Sequence, residues 1–422
     1  MLKKQTLFLI VAILILSCKK TSKQYSAVSS TNQLITLEVQ SKIDSTIQSF
    51  VTAGDIAGGS ALIIEKGKEV YYNHFGFADR ENKTPFDRKT IVQIYSMTKP
   101  ITGTALMTLH EDGKFQLDEP LSNYAPEFEN MTVYKGVAGN GQILTEQVNR
   151  EITIRDITRH TTGFAGPGNS GLGELVKNAD ALNRENTLTE MAIKIGATPL
   201  LFHPGSQWEY GSSVDVQAFL VERISGIPYG EYVRMNVLAP LGMDETRYFI
   251  PDEDRSRFSA MYNRSQDGVL SRVPDEQAHS NYVHKWPLTR GGSGLTSTID
   301  DYMKFAQMLL NNGTYGHTTI LKPETVELMS TNHLSDTITE RSWLPKRGQV
   351  GFGIDFAVRL APPISEDENM GEVGEFFWDG AASTLFWVDP VNEMTVVLFV
   401  QLMPYDQIGL HRAFRKAVYS FK

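Results

Sequence analysis

Apolar residues recur at Ile35, Val39, Ile43, Ile47 and Val51. This four-residue step lays one apolar stripe along a helix and predicts a packing helix at the start of the folded chain. The rhythm then changes. Ser60 to Glu65 and Glu69 to Phe75 are rich in β-branched and aromatic residues and flank Lys66-Gly67-Lys68, which predicts a hairpin. The arrangement returns near the other end, where Asp389-Pro390-Val391-Asn392 turns between the two apolar runs of STLFWVDPVNEMTVVLFVQL. A last helix is expected from about Asp406. Strands at both ends, with helical and loop-rich sequence between them, predict an α+β protein in which one sheet is assembled from the two ends and covered by the first and last helices. The sheet part spans about 34–95 and 286–422, and about 96–285 forms a helical insertion. A cleft where the two meet is the natural place for a ligand.

The insertion opens with IYSMTKPITGTAL, in which Met97, Ile101, Ala105 and Leu109 share one face at steps of four. A helix is predicted from about Ser96 to His110, stopping near Gly113. Positions i and i+3 are neighbours on a helix, so Lys99 stands one turn above the Ser96 hydroxyl. Serine becomes a nucleophile when a base takes its proton, and a lysine in a dry cleft can be that base. The N–H groups of a helix start can stabilise an oxyanion. Pro100 is tolerated in a first turn but disfavours helical geometry at Lys99. The same Ser-x-x-Lys spacing occurs at Ser17 and Lys20, where it carries no chemistry, and an N-capping serine beside a solvated lysine looks identical. The motif needs further parts.

Two stretches offer them. FHPGSQWEYGSSVDVQAFLVERISG places Tyr210 just before an amphipathic helix, where a phenol near a cationic lysine can hold or pass a proton; a half-buried core tyrosine reads the same way. GEFFWDGAASTLFWVDP places Trp378-Asp379-Gly380-Ala381 at the inner edge of a strand. There Gly380 would let substrate lie against backbone, and the Ala381 N–H would join that of Ser96 as an oxyanion pair. A strand glycine at a bulge is the structural alternative.

Taken in order, Ser96-x-x-Lys99, Tyr210-Gly211-Ser212 and Trp378-Asp379-Gly380 resemble the motifs of the serine β-lactamase and penicillin-binding superfamily, especially its class C and family VIII esterase branches. The resemblance covers the chain from about Leu34 to Lys422, with support from ITIRDITRHTTGF at 152–164 and RGGSGLTSTIDDYMKFAQMLLNNG at 290–313. It implies an antiparallel sheet with terminal helices plus a helical domain, with Ser96 as the acylated nucleophile, Lys99 as its base and Tyr210 managing proton transfer with Lys99. Two departures matter: Ser212 stands where class C enzymes carry asparagine, and Trp378-Asp379-Gly380 stands where they carry Lys-Thr-Gly. An indole suits an uncharged ester better than a carboxylate-bearing lactam, and Asp379 adds negative charge nearby that would disfavour an anionic ligand.

Composition narrows the rest. The 422 residues carry a net charge of −9 with no dense basic run, so no nucleic-acid footprint is expected. The only cysteine, Cys18, follows LFLIVAILIL, itself preceded by Lys3 and Lys4. That is the anatomy of an export signal. The apolar run from Leu7 to Leu16 would extend about 15 Å as a helix, against a hydrocarbon core of ~30 Å. ILSC resembles a bacterial lipobox, which implies a signal peptide at 1–18, a lipidated Cys18, a flexible tether at 19–33 and an exported, periplasmic or outer-membrane-anchored lipoprotein whose folded part spans 34–422. GPGNSG at 166–171 follows no apolar strand, so it reads as a loop beside the cleft rather than a dinucleotide site. His160 and His203 read as loop or packing residues, no metal-ligand spacing occurs among the histidines, and no cofactor is expected. The expected partners are a small-molecule ester or amide and, through the anchor, a membrane. Three functions compete: an esterase of short acyl esters, a β-lactamase or D-amino-acid peptidase using the same site, and a tethered binding protein without chemistry.

Overall fold

The computed structural model describes residues 33–422 except Ser170; the signal segment, Cys18 and the tether up to Asn32 lie outside the described residues. Helix α1 (Leu37–Ala53) begins where the Thr36 hydroxyl accepts the Val39 N–H and ends at Gly54, φ 77°, with Val39, Ile43 and Ile47 buried. The hairpin of β1 (Gly58–Glu65) and β2 (Lys68–Asp79) is longer than its composition predicts. Gly58 pairs with Gly76 in it, and a Cβ on Gly58 would stand 2.4 Å from the Phe77 nitrogen. These glycines serve close backbone approach, whereas propensity reads them as strand breakers.

After β3 (Thr84–Pro85) the chain leaves the sheet and returns as β4 (Val350–Phe352), β5 (Ala357–Arg359), β6 (Phe376–Asp379), β7 (Leu385–Asp389) and β8 (Met394–Val400). The eight strands lie in the order β4-β5-β6-β7-β8-β1-β2-β3, and every neighbouring pair is antiparallel. Every residue of β8 is buried, as a strand covered on both faces requires. Helix α7 (Leu410–Val418), which starts four residues later than the sequence suggests because Gly409 sits at φ 70° before it, packs with α1 on one face. Phe414 of α7 meets the Trp387 ring, while Tyr302 of helix α6 (Ile299–Leu310) meets that of Phe386. Adjacent strand residues point to opposite faces, so α7 and α6 sandwich the sheet.

Between sheet halves run α2 (Thr98–Glu111), α3 (Gly173–Ala179), α4 (Leu188–Gly196) and α5 (Ser213–Ser225), with α5 packed on α2. The region is less purely helical than its sequence suggests. It holds a hairpin of Thr132–Val137 with Ile143–Gln147, and Tyr262–Arg264 and Leu270–Arg272 form a small sheet with Leu402–Met403. Among the described residues no helix is long and apolar enough to cross a membrane.

Candidate active site

Ser96 sits in a 3-10 turn, Tyr95–Met97, that feeds directly into α2. Tyr95 adopts φ 45°, a left-handed geometry uncommon outside glycine, and the turn is held by the Tyr302 hydroxyl, which donates to the Met97 carbonyl at 2.8 Å. Lys99 falls within the first turn of α2 despite the following proline, and it is buried, 4% exposed. Its Nζ lies 3.3 Å from Ser96 Oγ and donates to the Gly292 carbonyl at 2.6 Å.

The loop bearing Gly292 is tied down from two sides. Asp215, buried on α5, accepts the Gly292 N–H at 2.9 Å and both Nε and Nη2 of Arg290, at 3.1 and 2.9 Å. Burial would raise the Asp215 carboxyl, but Arg290, then Lys99 and the Gly292 N–H, hold it below the usual range. Thr102, one turn beyond Thr98 on α2, donates to the Gly291 carbonyl at 2.8 Å. A Cβ on Gly291 would fall 2.2 Å from the Val214 carbonyl oxygen, so only glycine lets this loop lie between α2 and α5. The sequence presented RGGSG as a supporting stretch, but the roles of Asp215 and Arg290 depend on a contact across 75 residues. Behind Lys99, Gly103 makes room for the buried Asp355, whose Oδ1 accepts from Gln217 at 3.0 Å and whose carboxyl burial pushes well above the ordinary range.

Tyr210 approaches Lys99 with its face, the ring centroid being 4.6 Å from Nζ. Its hydroxyl receives a hydrogen bond from Trp378 Nε1 at 3.3 Å; among the described residues it makes none with Ser96 or Lys99. His160 explains its placement. This residue, at φ 58°, packs its ring 4.7 Å from that of Tyr210 and accepts the Gly211 N–H at Nδ1. Burial, and then Lys99, push its imidazole well below the ordinary range, so it is a neutral packing residue. His203 bonds Glu146 at 3.0 Å.

Gly380 has a different use from the one its sequence suggests. A Cβ there would meet the Ile94 carbonyl oxygen at 2.5 Å and Thr384 Oγ1 at 2.2 Å. The glycine therefore lets the end of β6 press against the segment leading to Ser96, rather than freeing backbone for substrate. Ala381 and Ser96 both border the cleft, and the N–H of neither donates to a protein acceptor among the described residues. Asp379 also departs from expectation. It pairs with Arg347 at 2.6 Å and accepts the Tyr405 hydroxyl at 2.7 Å, so its charge is countered within the wall and repels no anion. Burial raises its carboxyl, opposed chiefly by Arg347. Trp378 is packed among Tyr210, Trp343 and Phe352 with ring centroids 5.3–6.1 Å away.

Two chambers meet at Ser96 and Tyr210. One, of about 750 Å³, is bordered by Trp343, Lys346, Arg347, Asp379, Tyr405 and Arg412. The other, of about 560 Å³, takes in Lys99, Ser212, which precedes α5 without capping it, and the Gly166-Pro167 part of the glycine-rich loop. Nucleophile, amine, phenol and free N–H groups thus share one cleft, an arrangement suited to acyl transfer.

Known proteins share this build. The chain is 30% identical over 362 residues to Protein Rv1367c of Mycobacterium tuberculosis, covering 85% of this chain and 89% of that one. It is 25% identical over 399 residues to Esterase EstB of Burkholderia gladioli, covering 90% and 95%. The unliganded selenomethionyl structure of Simvastatin Synthase (LovD) from Aspergillus terreus superposes with a TM-score of 0.79 at 23% identity, covering 91% of this chain and 99% of that one, so the two have the same β-lactamase and transpeptidase-like fold. The model of the Beta-lactamase family matches residues 43–419, and the chain belongs to that family.

Proposed function

We propose that the protein is a serine hydrolase of carboxylic esters that works through an acyl-enzyme on Ser96. The observation that carries this reading is Lys99 Nζ at 3.3 Å from Ser96 Oγ, in a buried position. Lys99 takes the hydroxyl proton as Ser96 attacks the ester carbonyl. The N–H groups of Ser96 and Ala381 receive the developing oxyanion. The leaving alkoxide is protonated from the Lys99–Tyr210 side, the alcohol departs, and water then attacks the acyl-enzyme by the reverse proton path. Tyr210 acts here by its position: its π-face lies over the amine, and Trp378 fixes its hydroxyl.

Esterase chemistry is favoured over β-lactam opening because the third motif offers an indole bonded to Tyr210 where a lysine would hold a lactam carboxylate. The name of the related EstB supports the same choice. Transfer of the acyl group to an alcohol instead of water needs the same intermediate. The test is a comparison of a nitrophenyl ester with a chromogenic cephalosporin, using wild-type protein and Ser96→Ala. Ester turnover with an initial burst, at least about 10²-fold preferred over the cephalosporin and abolished by Ser96→Ala with the fold intact, is expected. Undiminished hydrolysis by Ser96→Ala refutes the nucleophile, preference for the cephalosporin refutes the substrate class, and absence of any turnover leaves a binding protein.

A further inference from the structure

We propose that the chamber of about 560 Å³ on the Lys99 side of Ser96 is an acyl-binding site for extended aliphatic acyl groups of the octanoyl class, with Val176 and Leu182 setting the chain length. The proposal rests on Ser96 being the acylated residue.

Beyond Ser96 the chamber is walled by Phe164, Val176, Ala179, Leu182 and Ile195. The charged residues that border it have partners of their own. Lys177 pairs with Glu174 at 2.7 Å, Lys194 donates to Asn186 at 2.8 Å, Asp180 accepts from Asn183 at 2.7 Å and Arg290 pairs with Asp215 at 2.9 Å. Lys194 and Asp180 keep their charges, their partners being neutral amides, but each is engaged by a neighbour, and the apolar walls gain from every methylene that replaces water against them. An acetyl group fills little of this volume, which departs from the short-acyl expectation raised by the sequence.

The chemistry of the two halves assigns the sides. The acyl group stays on Ser96 while alcohol leaves and water enters, so the exchanging partner needs the wetter route. The other chamber provides it, with exposed Lys346, Gln407 and Arg412 on its border. Ser212, small and uncharged, also borders this chamber. Helix α3, which carries Val176, has no buried residue, so a larger side chain there occupies the chamber without displacing the core.

The test measures kcat/KM for nitrophenyl acetate, butyrate, hexanoate and octanoate with the full-length protein, Val176→Trp and Leu182→Trp. In the wild type the octanoate-to-acetate ratio should reach about tenfold or more, a floor that one well-packed methylene of the six would supply. Each tryptophan should lower that ratio about tenfold, with thermal unfolding of Val176→Trp matching wild type. A wild-type ratio at or below one overturns the proposal, as does a ratio unmoved by both substitutions. Full turnover by Ser96→Ala overturns the nucleophile itself, whatever the chain-length profile.

Discussion

Asp215 accepts the Gly292 N–H at 2.9 Å, and the carbonyl of the same glycine receives Lys99 Nζ at 2.6 Å. A buried carboxylate on α5 therefore aims the acceptor that holds the amine beside Ser96. Asp215→Asn keeps the shape but leaves the half-buried Arg290 without its counter-charge, and breaking a fully buried pair from one side, the upper bound here, costs about 3–5 kcal/mol. The loop relaxes and the amine loses its aim, for which a displacement near 1 Å costs about 10²-fold in rate. The expected outcome is a lower unfolding temperature with kcat falling far more than KM rises. A variant with wild-type kcat would show that Gly292 is placed without Asp215.

Gly103 gives a prediction whose sign is opposite to the usual one. Replacing a glycine inside a helix by alanine ordinarily stabilises by about 1 kcal/mol. Here the new Cβ would stand 2.5 Å from Asp355 Oδ2, and that carboxyl is buried and held by Gln217. Crowding of this kind costs about 1–3 kcal/mol, which exceeds the propensity gain. Gly103→Ala should therefore unfold at a lower denaturant midpoint than wild type, and because Gly103 lies one turn beyond Lys99 its kcat should fall as well. A raised midpoint would mean that Asp355 moves aside freely.

These two residues mark where sequence reading stops. Periodicity gave α1, the β1–β2 hairpin and the helix at Ser96, because each is set by neighbours three, four or two positions away. Ser96 and Lys99 were legible for the same reason, being one helical turn apart. Tyr210 and Trp378 were legible by motif, but their actual relation, an indole N–H on a phenol oxygen across 168 residues, has no local signal. The same holds for Arg347 on Asp379, 32 residues away, which counters the charge of that aspartate. Gly380 misled: it reads as a place for substrate against backbone, whereas it, like Gly58 and Gly291, is where two pieces of backbone touch.

One buried and three half-buried histidines should make the fold sensitive to acid. Burial is the largest influence on His110, His160, His279 and His333, and it lowers each below the ordinary imidazole value of 6.5. In the unfolded chain these rings bind protons as pH falls through about 6.5, while the folded chain resists until lower pH. The unfolded state then holds more protons, so stability is full above about pH 6.5 and is lost as pH falls toward the folded values, by up to about 1.4 kcal/mol per pH unit for each ring. Denaturant unfolding at pH 7.5, 6.5 and 5.5 should show the midpoint falling over the lower interval. His160→Asn, which tolerates the positive φ, should be less stable at pH 7.5 and show a shallower fall. A midpoint independent of pH down to 5.5 would contradict the burial of these rings.

The anchor proposed at Cys18 is testable apart from the catalytic site. Lys3 and Lys4, the apolar run from Leu7 to Leu16 and the following ILSC order a basic, an apolar and a cleavage segment as an exported lipoprotein requires. If Cys18 becomes the acylated first residue, the mature chain begins there and the stretch to Gln33 tethers the folded part at a membrane surface. Mass spectrometry of protein recovered from the membrane fraction of a bacterial host should give a chain starting at Cys18 with acyl chains and a glyceryl group attached. Cys18→Ala should keep its signal segment or appear in the soluble fraction, with kcat for a soluble nitrophenyl ester matching wild type because the site lies wholly within residues 95–412. An unmodified mature chain beginning elsewhere would remove the anchor while leaving the chemistry at Ser96 untouched.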